Sequence, residues 1–211
     1  MNGFLHRVFY NRSGSSAAEF ALVLPLLLIF LIGIIDVGRL LWTWNQAEKA
    51  AQMGVRFAVV TNPVPSGLST FSFVGTGGLT QGDAIPISAY GTMTCTSSGT
   101  TVTVSCSCNS GSCPWGTAAA SGTTSPFGRI ADQMNLFFPQ LTPSNISVIY
   151  KPSGLGYAGD PNGADVAPIV TVEVRNLTFA PTLLQLFGGQ IAMPSFSSAL
   201  TLEDSRGLAS N

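Results

Sequence analysis

The sequence predicts an α+β protein, a long N-terminal helix carrying a small β-rich, disulfide-stapled head. Three observations predict it. An uncharged apolar run, Phe20 to Ile35, continues without a breaker into apolar residues spaced by three and four as far as Val60. Beyond Asn62-Pro63-Val64-Pro65 the composition turns to Gly, Ser, Thr and Pro with short alternating runs. All four cysteines, Cys95, Cys106, Cys108 and Cys113, fall close together in that second part.

The chain divides by these features into a basic leader (1–14), a long helix (15–60) and a β-rich remainder (61–211). Within the helix, residues 17–42 are expected to cross a membrane. The run Phe20–Ile35 reaches about 24 Å as a helix, against about 30 Å of hydrocarbon. Its flanks must therefore contribute, with Glu19 and Asp36 near opposite faces of the bilayer. Trp42 and Trp44 fit an aromatic belt at the far side, and Arg12, Asp36 and Arg39 mark the boundaries. Arg7 and Arg12 precede the run with no acid before Glu19, which predicts a cytoplasmic N-terminus and an exported C-terminal part. A cleaved secretory signal is disfavoured, because the run ends in Asp36-Val37-Gly38-Arg39 with no small-x-small site. Pro25 interrupts the run, which a membrane helix tolerates when the freed backbone groups find other partners. Asp36 and Arg39, three apart on the helix, are placed to pair at the membrane surface.

The outer half of the helix is amphipathic. Leu40, Leu41, Trp44, Ala47, Ala50, Ala51, Val55, Ala58 and Val59 share one face, and Gln46, Glu48, Lys49, Gln52 and Arg56 occupy much of the other. That face is expected to pack on the head or on a neighbouring helix, and Asn62-Pro63 to stop the helix.

Residues 62–125 are poor in charge and read as a flexible, Gly/Ser/Thr-rich stretch with little core of its own. Met93–Cys95 and Thr101–Cys106 are predicted strands joined by Ser97-Ser98-Gly99. Pro126–Phe138 is a predicted helix, with Phe127, Ile130, Met134, Phe137 and Phe138 on its apolar face and Pro139 as its stop. Ile146–Tyr150, Pro168–Thr178 and Ile191–Leu202 are predicted strands, with Pro194 at an edge or a bulge. Pro181–Phe187 is a predicted helical turn closed by Gly188-Gly189. The cysteines are expected to form disulfides on the exported, oxidising side, with their connectivity left open. A metal is disfavoured, because Cys-x-Cys-x4-Cys lacks paired Cys-x2-Cys spacing and His6, the single histidine, lies across the membrane.

Other functional classes find little support. Charged residues make up 9% of the chain, against about 25% in a typical protein. The net charge of -1 gives no case for nucleic acid. Gly154-Leu155-Gly156-Tyr157-Ala158-Gly159 matches a dinucleotide fingerprint, but Asp160-Pro161-Asn162-Gly163 follows where a helix would have to begin, so a glycine-rich loop is expected. Asp160, Asn162 and Asp165 resemble a calcium loop weakly and lack its terminal glutamate. Glu173 and Arg175 are expected to be solvated on one strand face. No exported histidine serves acid–base work and no phosphate loop occurs, so neither an enzyme nor a cofactor is expected.

The N-terminal register carries the functional signal. Gly14-Ser15-Ser16-Ala17-Ala18-Glu19-Phe20 after a short basic head has the layout of a type IV prepilin. A cut after Gly14 makes Ser15 the first residue and Glu19 the fifth. Ala18-Glu19-Phe20-Ala21-Leu22-Val23-Leu24-Pro25-Leu26-Leu27-Leu28, Gly33-Ile34-Ile35-Asp36-Val37-Gly38-Arg39 and Gly54-Val55-Arg56-Phe57-Ala58 together resemble the TadE-like family of the tight-adherence (Tad, Flp) pilus system. The resemblance covers about residues 13–60; later residues follow the family only in outline. It implies a pilin-like fold and a minor subunit or assembly protein of an adhesive fibre. It implies processing at Gly14, Ser15, Glu19 and Phe20 by a prepilin peptidase. The implied partners are a major Flp-type pilin, other minor pilins, the inner-membrane assembly platform and the lipid bilayer. The implied location is the bacterial inner membrane in a single pass, with the head in the periplasm or in an extracellular pilus. Ser15 agrees with the small-residue style of Flp-type pilins and departs from the phenylalanine type. Physically, cleavage would create an amine at Ser15 near the membrane edge, and an acid such as Glu19 of a neighbouring subunit could pair with it. Two other classes remain open: a permanently anchored assembly factor, and an envelope-anchored binding domain.

Overall fold

The computed structural model describes residues 15–161, 163–185 and 188–203. Helix α1, Ser15–Val60, is continuous over 46 residues through Pro25. Strands β1 (Thr92–Ser97) and β2 (Val104–Ser110) follow, then helix α2 (Pro126–Asn135) and strands β3 (Ile146–Lys151) and β4 (Ile169–Val174). A hairpin of two short strands, β5 (Thr178–Phe179) and β6 (Ile191–Ala192), encloses the short helix α3 (Thr182–Gln185), and β7 (Phe196–Thr201) ends the described chain. The class is α+β, a long apolar helix followed by a small antiparallel sheet with two disulfides. The chain forms two compact units. One contains α1 to Trp42 with Phe179–Ile191, and the other Thr43–Thr178 with the chain from Ala192 onward.

In the larger unit the sheet order is β2-β1-β3-β4-β7, with every neighbouring pair antiparallel. Strand alternation puts Met93 and Cys95, Val148 and Tyr150, and Val170, Val172 and Val174 on one face, all completely buried. The register lines them up in rows. Met93 faces Tyr150, which faces Val170, and Cys95 faces Val148, which faces Val172.

The outer half of α1 contributes Ala47, Ala50, Ala51, Val55 and Ala58 to the same core, at the spacing expected of a helix stripe. Gly54 shows how closely the helix approaches. A Cβ there would lie 2.7 Å from Met134 Cγ and Sδ and 3.2 Å from Val172 Cγ1. Leu41, expected on this face, is instead exposed and belongs to the other unit. Two late bonds finish the helix end. The Thr61 hydroxyl donates to the Phe57 carbonyl at 2.8 Å, and the Glu203 N–H donates to the Val59 carbonyl at 3.1 Å, satisfying carbonyls that have no partner within the helix.

The remaining elements depart from expectation in their boundaries. β2 begins at Val104 rather than Thr101, because Thr101–Thr103 turn back on Ser97. The Ser97 hydroxyl donates to the Thr101 carbonyl and accepts from the Thr103 N–H. α2 is capped by Ser125, whose side chain accepts from the Gly128 N–H at 3.1 Å, with Pro126 in the first turn. It ends at Asn135, because Phe137 and Phe138 both donate to the Met134 carbonyl in a tightened last turn. Phe127, Ile130, Met134 and Phe138 are buried as expected, and Phe137 only partly. The run Pro168–Thr178 splits into β4 and β5 at Asn176, whose φ of 57° takes the chain out of the sheet. Ile191–Leu202 likewise splits into β6 and β7 around Pro194, which has no N–H to give a ladder, and β7 is an edge strand.

Residues 62–125 have more core than expected. Val64, Leu68, Phe73, Ile85, Tyr90 and Trp115 are buried. Phe71, Phe73, Tyr90 and Trp115 form a chain of ring contacts with centroids 5.0–6.1 Å apart. The Val64 N–H donates to the buried Tyr150 hydroxyl at 2.9 Å, which fixes the chain just after α1 against the sheet.

Candidate functional site

The site begins where the described chain begins. Gly14 and Arg12 lie outside the described residues, as do Arg7 and His6. Ser15 opens α1, and Glu19 stands just past its first turn with an exposed side chain, beside Phe20, also exposed. From there the helix presents bulky apolar side chains outward, with Leu22 at 80% and Phe30 at 70% exposure. Its most apolar window has a mean hydropathy of 2.8 and is 6% buried. Among the described residues this is the one helix long and apolar enough to cross a membrane. A core helix would hide that surface, so the pattern fits a single-pass anchor.

At the far end of this stretch the helix carries a charge with its partners built in. Asp36 is 7% exposed. Its Oδ1 accepts from Arg39 Nη1 at 3.1 Å and from the Thr182 hydroxyl at 2.8 Å. Its Oδ2 faces the Leu183 N–H at 3.4 Å. Arg39 Nη1 also donates to Thr182 Oγ1 at 2.9 Å, and the guanidinium carbon lies 5.6 Å from the centre of the Phe179 ring. A carboxylate at the edge of an apolar segment is costly unless it is paired and hydrogen-bonded. Here a salt bridge, a hydroxyl and a backbone amide meet that need. The expected Asp36–Arg39 pair is present, and it also holds the hairpin tip between β5 and β6. Thr182 lies 146 residues from Asp36. Sequence reasoning missed it because Pro181-Thr182-Leu183-Leu184 reads locally as no more than a turn. Trp42 is largely exposed, and Trp44 sits edge-on to Phe196 at 4.9 Å in the sheet unit.

The cysteines form two disulfides, Cys95–Cys106 and Cys108–Cys113. The first joins directly opposed residues of β1 and β2, and the second closes the turn that follows β2. The glycine-rich motif is a loop. Gly156, at φ 133°, bridges Val166, and a Cβ there would strike the Asp165 carbonyl. Asn162 lies outside the described residues. The Asp165 carboxylate is buried and accepts from the backbone N–H groups of Phe73, Gly159 and Asp160 at 2.6, 2.9 and 3.1 Å. It pins two loops together. Among the described residues no group of three or more histidine, cysteine or acidic side chains is arranged to hold a metal.

No curated protein and no solved structure matches this chain. The family model described as TadE-like protein matches residues 14–56. That stretch holds Gly14, Glu19, the exposed apolar helix, the Asp36–Arg39 pair and the tight packing at Gly54. The similarity to TadE-like proteins thus lies in the N-terminal segment of this chain, residues 14–56.

Proposed function

We propose that the protein is a minor pilin or pseudopilin of a Tad-type adhesive pilus. On this reading it is made as a prepilin, cut after Gly14 by a prepilin peptidase, and held in the inner membrane until it is assembled. The leader with Arg7 and Arg12 is cytoplasmic, and the disulfide-bonded sheet unit is exported. Assembly proceeds by lateral packing of apolar helices among the major Flp-type pilin and other minor pilins on the inner-membrane platform, with Glu19 meeting the new amine of a neighbouring subunit. The role is structural rather than catalytic. The observation that carries the reading is the TadE-like match from residue 14, which takes in the Gly14–Glu19 register and the exposed apolar helix.

The first test is the mature N-terminus of membrane-extracted protein with and without the peptidase. A peptidase-dependent start at Ser15 supports the reading. A start at Met1 under both conditions overturns processing and favours a permanently anchored assembly factor. Recovery of the protein in sheared fibres separates a subunit from such a factor, and Glu19→Ala is expected to abolish piliation or partner contact. Unchanged assembly in Glu19→Ala would favour an envelope-anchored binding domain.

A further inference from the structure

We propose that the described residues of the hairpin tip, Phe179–Gln185 and Gly188–Ile191, are a second lipid contact, lying in the headgroup boundary of the leaflet at which α1 leaves the bilayer. The Asp36–Arg39–Thr182 cluster is the latch that sets its depth. The proposal rests on reading α1 as a membrane anchor.

Length supplies the first argument. The uncharged run Phe20–Ile35 reaches about 24 Å and falls about 6 Å short of the hydrocarbon thickness. Asp36 therefore sits at the hydrocarbon edge rather than well clear of it. The Thr182 hydroxyl is 2.8 Å from Asp36. Leu184 follows two residues later, within about 7 Å of chain. Interfacial segments bury their apolar side chains about 5–10 Å into the boundary layer, so the tip falls within that range.

Composition supplies the second. From Phe179 to Ile191 the chain reads Phe-Ala-Pro-Thr-Leu-Leu-Gln-Leu-Phe-Gly-Gly-Gln-Ile, with no charged residue. Leu184 and Ile191 are 44% and 40% exposed. Leucine in an uncharged loop is unfavourable in water and favourable at an acyl boundary. The residues around the latch suit the same layer. Arg39 lies over the Phe179 ring, and Trp42, one turn further on, is 68% exposed. Arginine and tryptophan are the side chains that settle at headgroup level. The polar bonds at Asp36 thus keep one carboxylate satisfied at the membrane edge and also hold an apolar loop against that edge.

The test uses the full-length protein with its disulfides intact, in phosphatidylcholine–phosphatidylglycerol vesicles. A fluorophore is attached to a single added cysteine at one of three exposed positions, Leu184→Cys in the tip, Leu28→Cys in the helix or Lys151→Cys in the sheet. Quenching is read from lipids carrying a nitroxide near the headgroup or deep in the acyl chain. The expected result is deep quenching at Leu28 and shallow quenching at Leu184 several-fold stronger than at Lys151. Quenching at Leu28 with Leu184 indistinguishable from Lys151 overturns the proposal while the anchor stands, and leaves that face to a protein neighbour. Absence of quenching at Leu28 as well overturns the anchor reading and the proposal with it.

Discussion

The two halves of α1 use opposite side chains. From Phe20 to Trp42 the helix is rich in Leu, Ile, Phe and Trp, and most of them face outward. From Ala47 to Val59 its inward face is mostly Ala, Gly and Val, and those residues are buried. Bulky apolar residues on an exposed helix suit a lipid environment, where each adds favourable transfer energy. Small residues on a buried helix suit close packing, because they let a backbone approach a sheet whose own side chains already fill the gap. In this chain, then, the apolar content of a segment says little about where it packs, and side-chain size says a great deal.

Substitutions can break this contrast, the largest effect being expected at Gly54. Gly54→Leu must displace Met134 and Val172, and should cost about 3 kcal/mol or more by overpacking, seen as a lower thermal midpoint. An equally bulky change at Gly33, where an added Cβ meets nothing within 4 Å, should leave that midpoint unaltered. If Gly54→Leu is neutral, the helix is not packed as described. Replacing Cys95 and Cys106 together by Ala should cost about 3 kcal/mol through the freed loop, and replacing Cys108 and Cys113 somewhat less because that loop is shorter. Chemical denaturation of the two double variants should rank them in that order.

Tyr150→Phe removes the acceptor of the Val64 N–H and should cost about 1–3 kcal/mol. Burial pushes the Tyr150 phenol well above the usual tyrosine value. Its folded value is raised, so its contribution is fully present below the unfolded pKa of about 10 and is lost as pH rises above it. Wild-type protein should therefore lose stability in alkali more steeply than Tyr150→Phe. The smallest and most local effect is expected at Asp36→Asn. The amide keeps an acceptor for Thr182 but can set a donor against the Leu183 N–H. Hydrogen exchange should show faster exchange at Leu183, while the sheet amides of β3 and β4 keep their protection.

Legibility followed the range of the interactions. The helix from Ser15 to Val60, the burial stripe Ala47–Ala58 and the apolar face of α2 were readable because helical spacing is written in neighbouring residues. The Asp36–Arg39 pair was readable for the same reason. Strand ends at Val104, Asn176 and Pro194 were harder, because a left-handed residue or a side-chain bond to a turn decides them and each competes with a continuing pattern. The burial of Phe73, Tyr90 and Trp115 was not readable, since a glycine- and threonine-rich stretch gives no periodicity to follow.

By itself, the sequence determined the span-like helix, its similarity to TadE-like proteins over residues 14–56, the α+β class and the presence of disulfides, because hydropathy, spacing and cysteine content are local properties. Tertiary structure alone decided which cysteines pair, why Gly54 must be small and where the hydroxyl at Asp36 comes from. Each of these depends on segments distant in sequence meeting in space. The Asp36 carboxylate needs more partners than its own helix can supply, and folding brings Thr182 and Leu183 to it.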